Sequence, residues 1–252
     1  MIALMADWGI SGTPQKLAET AAELGYDGIE VWWPRSVAAQ STLAATTKSV
    51  GGRLSLLAGS VLSDPEAHGD EIEEQLREIR VTGIDPLHVT LHLGRDHWPL
   101  SVQHTLLERV ADWRRTYDID VLVETHRGRI LNSAFSAAEL LPDHEGVRVA
   151  FDVSHWLVVS ESYLDDQRDA VSLGIARADH VHARIGHAQG PQVIDPEHDC
   201  WGGDSSTVTS AGGIGSSLVS SRMASRSPSS PSSGRSPMPR RWLDAPCAIM
   251  PR

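Results

Sequence analysis

Thiols are scarce in this sequence. Cys200 and Cys247 are its only two cysteines. They are too few for a disulfide framework and sit in no C-x-x-C spacing that would hold a metal through sulfur. No apolar run approaches the ~20 residues needed to span a bilayer, so no membrane partner is expected. The stretch Met1–Ile10 has no basic segment ahead of its apolar residues, which argues against a signal peptide and for a cytoplasmic protein. Basic charge is short as well. The net formal charge is −11, and residues 201–252 hold six Arg against two acids, which leaves −15 on the first 200 residues. An acidic body repels phosphate backbones and excludes nucleic acid as a favoured partner. A solvated acidic surface accounts for the charge. Finally, no Gly-rich dinucleotide loop follows the first apolar segment, which counts against a doubly wound nucleotide-binding sheet.

What is present, over the first 200 residues, is an alternation of short apolar runs and longer amphipathic ones. Strands are predicted at Ile2–Asp7, Tyr26–Trp32, Arg53–Ala58, Leu87–Leu93, Ile119–Thr125, Val147–Val153 and Ala178–Ala183. Between them, Thr13-Pro14 and Asp64-Pro65 have the form of helix starts, a capping side chain followed by proline. Leu17, Ala21 and Leu24 form one helical stripe, and Ile72, Leu76 and Ile79 another. Further helices are expected over about 36–50, 101–117, 133–141 and 163–174. Seven β/α units at this period, in a chain of 252 residues, predict a parallel sheet closed as a (β/α)8 TIM barrel that is one strand short.

In such a barrel, chemistry sits where strands end. Here strand ends are rich in metal-capable groups: Glu30 on the second strand, His88, Thr90 and His92 alternating on the fourth, and Glu124-Thr125-His126-Arg127 closing the fifth. Asp152-Val153-Ser154-His155-Trp156 closes the sixth, and His180-Val181-His182-Ala183-Arg184 the seventh. A single histidine near a strand end is ordinarily structural. Ionisable groups on five strand ends are costly to bury at one mouth unless they bind something. A carboxylate set with histidine suits a divalent ion such as Mn2+, Mg2+, Co2+ or Zn2+.

These strings, with Gly28-Ile29-Glu30, His92-Leu93-Gly94-Arg95-Asp96 and Gly190-Pro191-Gln192-Val193, resemble the sugar phosphate isomerase/epimerase family of xylose isomerase-like TIM barrels. The resemblance covers roughly residues 1–200. It implies that Glu124 is a metal ligand and a proton-transfer base, and that Asp152 and His182 are further metal ligands. It also implies that His155 binds substrate, and that Arg184 and His187 face the sugar. His92, His126 and Arg127 join the substrate-facing set by position. The implied reaction is isomerisation or epimerisation of a sugar or sugar phosphate. The metal polarises a carbonyl and a carboxylate removes the neighbouring proton to give an enediolate. Two other readings stay open: a non-catalytic carbohydrate-binding remnant, and a metal phosphoesterase like the endonuclease IV relatives of the fold. Trp32, Trp98 and Trp156 could stack on a sugar, though packing is the commoner use of a tryptophan. A homodimer is compatible with barrels of this type.

The pattern stops near residue 200. Fourteen of the residues from Ser205 to Ser236 are serine, a composition with too little apolar surface to offset chain entropy. Residues 1–200 are therefore expected to form the barrel and 201–252 a disordered or frame-shifted tail. Relatives of this kind complete the metal site with a Glu in a Glu-Phe-Gly string on strand eight, which this chain lacks. One permitted codon choice for Pro228–Gly234 gives Val-Ile-Thr-Glu-Phe-Gly when read from its third base, which motivates the frame-shift expectation. Without that Glu, weak metal binding and impaired catalysis are expected.

Overall fold

The computed structural model describes residues 1–8, 10–50 and 53–190. The domain boundary near 200, the serine-rich tail and the question of an eighth strand lie outside the described residues.

Seven strands run in chain order across one parallel sheet: β1 (Leu4–Ala6), β2 (Gly28–Trp32), β3 (Arg53–Gly59), β4 (Val89–His92), β5 (Val121–Glu124), β6 (Arg148–Phe151) and β7 (Ala178–Val181). Helices fill the connections: α1 (Pro14–Glu23), α2 (Val37–Val50), α3 (Pro65–Thr82), α4 (Leu100–Tyr117), α5 (Ala134–Leu140), α6 (Val153–Ser160) and α7 (Arg168–Arg177). A 3-10 turn at Leu141–Asp143 follows α5. The starts of α1 and α3 are those read from sequence. The Thr13 side chain accepts from the Lys16 N–H, Asp64 accepts from Ala67 N–H at 2.9 Å, and proline follows each cap. Gly83, with φ +70°, ends α3 in the left-handed turn that glycine adopts without strain.

The sheet is strongly curled. Glu30 on β2 and His182 just past β7 are 3.0 Å apart. Their strands stand five places apart in the sheet, about 24 Å at ordinary strand spacing if it were flat. Strand parity then divides the side chains into two layers. Ile29, Val31, Leu54, Leu56, Ala58, Val89, Leu91, Val121, Val123, Val149 and Phe151 belong to the main apolar core, along with the helix stripe Ile72, Leu76 and Ile79. The alternate residues point the other way, into the barrel: Glu30, Ser55, His88, Thr90, His92, Glu124, Asp152, His180 and His182. Burial of one Leu, Ile or Val contributes about 1.5–3 kcal/mol, so the apolar layer between sheet and helices carries the stability. The polar layer inside gathers the ionisable side chains.

Two elements differ from the sequence reading. The sequence reading ran the sixth strand to Val153 and assigned no helix before 163, but α6 spans Val153–Ser160. Its run Val-Ser-His-Trp-Leu-Val-Val-Ser has no polar face to announce a helix. The helix expected over 163–174 lies at 168–177, because Ser162 and Leu164 are taken up in a turn in which the Ser162 hydroxyl accepts from Leu164 N–H.

Candidate metal and substrate site

Two carboxylates, Glu124 and Asp152, meet at the carboxyl end of the barrel. Glu124 closes β5 and is 3 % exposed. Its Oε1 accepts from His182 Nδ1 at 3.1 Å. His92 Nε2 approaches its Oε2 at 2.5 Å, yet that buried oxygen makes no aligned hydrogen bond. Burial works to raise the Glu124 pKa, but the hydrogen bond and charge of His182 and the close approach of His92 hold it well below the usual carboxylate range. It is an ionised carboxylate, and a cation would satisfy the oxygen without an aligned bond.

Asp152 follows β6 and caps α6. Its Oδ1 accepts from the Ser154 N–H at 2.9 Å and from the Ser154 hydroxyl. Oδ2 is thereby left facing His155 Nε2 at 3.6 Å and Arg184 Nε at 3.7 Å. Burial pushes the Asp152 carboxyl up, against the pull of Arg184 and His182.

Glu124, Asp152 and His155 offer ligand atoms that all lie within 4.8 Å of one another, and so do His92, Glu124 and His126. His182 stands between two carboxylates, bonding Glu124 through Nδ1 and facing Glu30 Oε2 through Nε2. Burial disfavours its charged form, but the two glutamates override that and raise its pKa well above the ordinary value. The donor set of Glu124, Asp152 and His155, with the buried Glu124 Oε2 lacking an aligned partner, fits a divalent ion, and His182 joins it only on giving up a proton.

The other expected residues are placed as follows. The His155 and His126 rings meet tilted with centroids 3.8 Å apart, and His126 meets His92 at 4.4 Å. Burial, then His126 and Arg184, pushes His155 down to about 2, and burial with His92 pushes His126 down to about 4. Both are neutral at pH 7. His126 Nδ1 lies 2.6 Å from the Arg127 carbonyl. A carbonyl only accepts, so the proton is on Nδ1 and Nε2 keeps its lone pair. Arg184 donates to the Ser154 hydroxyl at 2.7 Å and reaches His155 Nδ1 at 3.3 Å. Arg127 is half-buried nearby and disfavours the charged forms of Arg184 and His155. His187 is held by its own turn. Its Nδ1 accepts from Gln189 N–H, and its ring meets Tyr163 edge-on at 6.1 Å. Trp156 is fully buried and bonds the Leu131 carbonyl, and Trp98 is buried beside His68. Only Trp32 of the three is exposed, and it stands edge-on to His92 at 4.7 Å.

The sequence reading left Glu30, His88 and His180 out of the candidate set. The available signal was Glu30 at a strand end and the inward alternation of His88, Thr90 and His92.

No protein-family model matches this sequence, and no curated protein matches it. Solved structures do. The probable 3-DHS dehydratase AsbF, involved in petrobactin synthesis in Bacillus anthracis, superposes with a TM-score of 0.56 at 17% identity, over 78% of each chain. The E. coli 3-keto-D-glucoside 4-epimerase YcjR gives 0.55 at 14% identity, over 72% of this chain and 78% of that one. A xylose isomerase-like TIM barrel protein from Mycobacterium smegmatis, in complex with magnesium, gives 0.55 at 14% identity, over 73% and 75%. The fold is that of a TIM barrel. Seven of its strands lie within the described residues. Among those residues, no helix is long and apolar enough to cross a membrane.

Proposed function

We propose that this chain is a metal-dependent isomerase or epimerase of a sugar or sugar phosphate, working by proton transfer next to a carbonyl. The observation that carries the reading is Glu124: a buried, ionised carboxylate with one oxygen lacking an aligned partner, grouped with Asp152, His155 and His182. Glu124, Asp152 and His182 would hold the ion (Mn2+, Mg2+, Co2+ or Zn2+), with His155 close enough to share in it. When bound, the ion supplies Lewis acidity to a substrate carbonyl.

The chain's own groups do the rest. Glu124 accepts the proton on the carbon beside that carbonyl, a step worth about 10²–10⁴ in rate. Neutral His126 and His155 offer nitrogens to substrate hydroxyls, and Arg184 fixes the His155 ring. Arg127 and His92 line the same approach, and Trp32 gives it an exposed aromatic face. His187 is proposed as a substrate contact from the loop beyond β7. The name of the E. coli neighbour sets its reaction at a carbon beside a ketone, which accords with this chemistry. The cytoplasm is the proposed location, and residues 1–200 the proposed barrel domain. The Glu-Phe-Gly carboxylate is missing from the sequence, so activity is expected to be impaired.

The test is solvent deuterium exchange. The metal-loaded chain is incubated in D2O with a panel of aldoses, ketoses and their phosphates and followed by NMR. Deuterium should enter beside the carbonyl, and chelator or Glu124→Gln should slow entry by about 10²-fold or more. Sugar binding without exchange would favour a non-catalytic binding remnant. A second enzyme reading, a metal phosphoesterase, is favoured by the crowding of His92, His126, His155 and His182 around one glutamate. Its mark would be metal-dependent release of phosphate from a phosphate ester, with no exchange into sugars.

A further inference from the structure

One layer below the mouth, a second group of buried ligand-type atoms has no part in the proposed reaction. Glu30, His88 and His180 come from β2, the residue just before β4, and β7. Their ligand atoms lie within 4.8 Å of one another. Both histidines aim the same atom at the same oxygen: His88 Nε2 and His180 Nε2 are each 3.6 Å from Glu30 Oε1.

That distance is informative. It is too long for a hydrogen bond, which spans about 2.7–3.2 Å. Ligands about 2.0–2.2 Å from a tetrahedral ion stand roughly 3.3–3.6 Å apart, which matches what is seen. The His88 side chain is nine-tenths buried, and its Nε2 has no hydrogen-bond partner. Such an atom costs stability unless something satisfies it.

The surroundings support the ligands. Ser55 Oγ lies 3.4 Å from His88 Nδ1, on the far side of the ring, and Thr90 Oγ1 lies 3.5 Å from Glu30 Oε1. The other Glu30 oxygen faces His182 Nε2 at 3.0 Å. A histidine ligand whose second nitrogen is held by an outer partner is the usual construction of a metal site.

We propose that Glu30, His88 and His180 form an inner cation site within the barrel, suited to a single Zn2+ through one carboxylate oxygen and two imidazole nitrogens. Two histidines and a glutamate are a recurrent three-ligand set for this ion. Glu30 then links the two levels, one oxygen to the inner ion and the other to His182. The inner site does not depend on the outer one holding a metal.

The test uses full-length chain stripped of metal, then loaded with Zn2+, dialysed and analysed for metal per chain, with affinity from calorimetry. In Glu124→Gln/Asp152→Asn, which disables the mouth, one Zn2+ should remain. Adding His88→Gln/His180→Gln should remove it, with at least a 100-fold loss of affinity. A folded Glu124→Gln/Asp152→Asn chain without Zn2+, or retention of Zn2+ after the histidine substitutions, would overturn the proposal. Should the mouth substitutions prevent folding, His88→Gln alone decides. One ion fewer than wild type supports the inner site, and unchanged stoichiometry refutes it. Failure of the mouth reading looks different: wild type would bind one ion, and His88→Gln would remove it.

Discussion

Single buried groups set how this chain responds to acid. His68 on α3 is fully buried, its Nε2 accepting from the Gly94 N–H at 2.9 Å, so it must be neutral. Burial, reinforced by Arg129 and Arg95, pushes its pKa down to about 4. The unfolded chain, with an ordinary histidine near 6.5, therefore binds more protons between about pH 4 and 6.5, and stability rises with pH across that window. The expected loss on going from pH 7.5 to pH 5 is about 2 kcal/mol from this residue alone. Urea midpoints at the two pH values check it. His68→Gln should lower stability at pH 7.5 and flatten the pH dependence. An unchanged pH slope in that variant would remove His68 as the cause. The same desolvation keeps His126 and His155 neutral at the mouth.

Elements hold the site through their caps and close approaches. Asp64→Ala removes the side-chain cap of α3 and should cost about 1 kcal/mol, read from the denaturant midpoint. Gly28→Ala is a different class of change. A methyl there would lie 1.9 Å from the Arg53 carbonyl oxygen, with no flexible side chain to yield. It should cost roughly 3 kcal/mol or more and displace Glu30 two residues on, so metal content should fall along with stability.

Much of this level was legible in the sequence. Val121-Leu122-Val123 before Glu124 could only be a buried strand ending in a carboxylate, and Asp64-Pro65 announced its helix. The α6 segment was not legible, because a helix apolar all round gives no periodic signal. Nor was the gathering of Glu30 with His88 and His180. Those residues are far apart in sequence, and nothing local says that β2 and β7 face one another. Only the curl of the sheet brings them together.

At the scale of the molecule, charge and closure govern. A body of −15 over the first 200 residues should give no electrophoretic shift of duplex DNA, even at low salt where phosphate contacts are strongest. A retained complex there would favour the phosphoesterase reading. Among the described residues, β1 and β7 each pair on one side only. A chain carrying Val-Ile-Thr-Glu-Phe-Gly in place of the serine-rich stretch at 228–234 should bind metal about tenfold tighter or more, since even supporting residues change affinity by that factor. Equal affinity in the two chains would deny the missing Glu its role.

The division of each strand between two layers has a consequence for descent. The residues that drive collapse and the residues that select a ligand occupy alternate positions of the same seven strands, so they are exposed to substitution independently. Exchanging His88, Thr90, Leu122 or Ala150 alters the lining of the barrel and leaves untouched the leucines and valines packed beneath the helices. A lineage built this way can drift in chemistry while its scaffold stands.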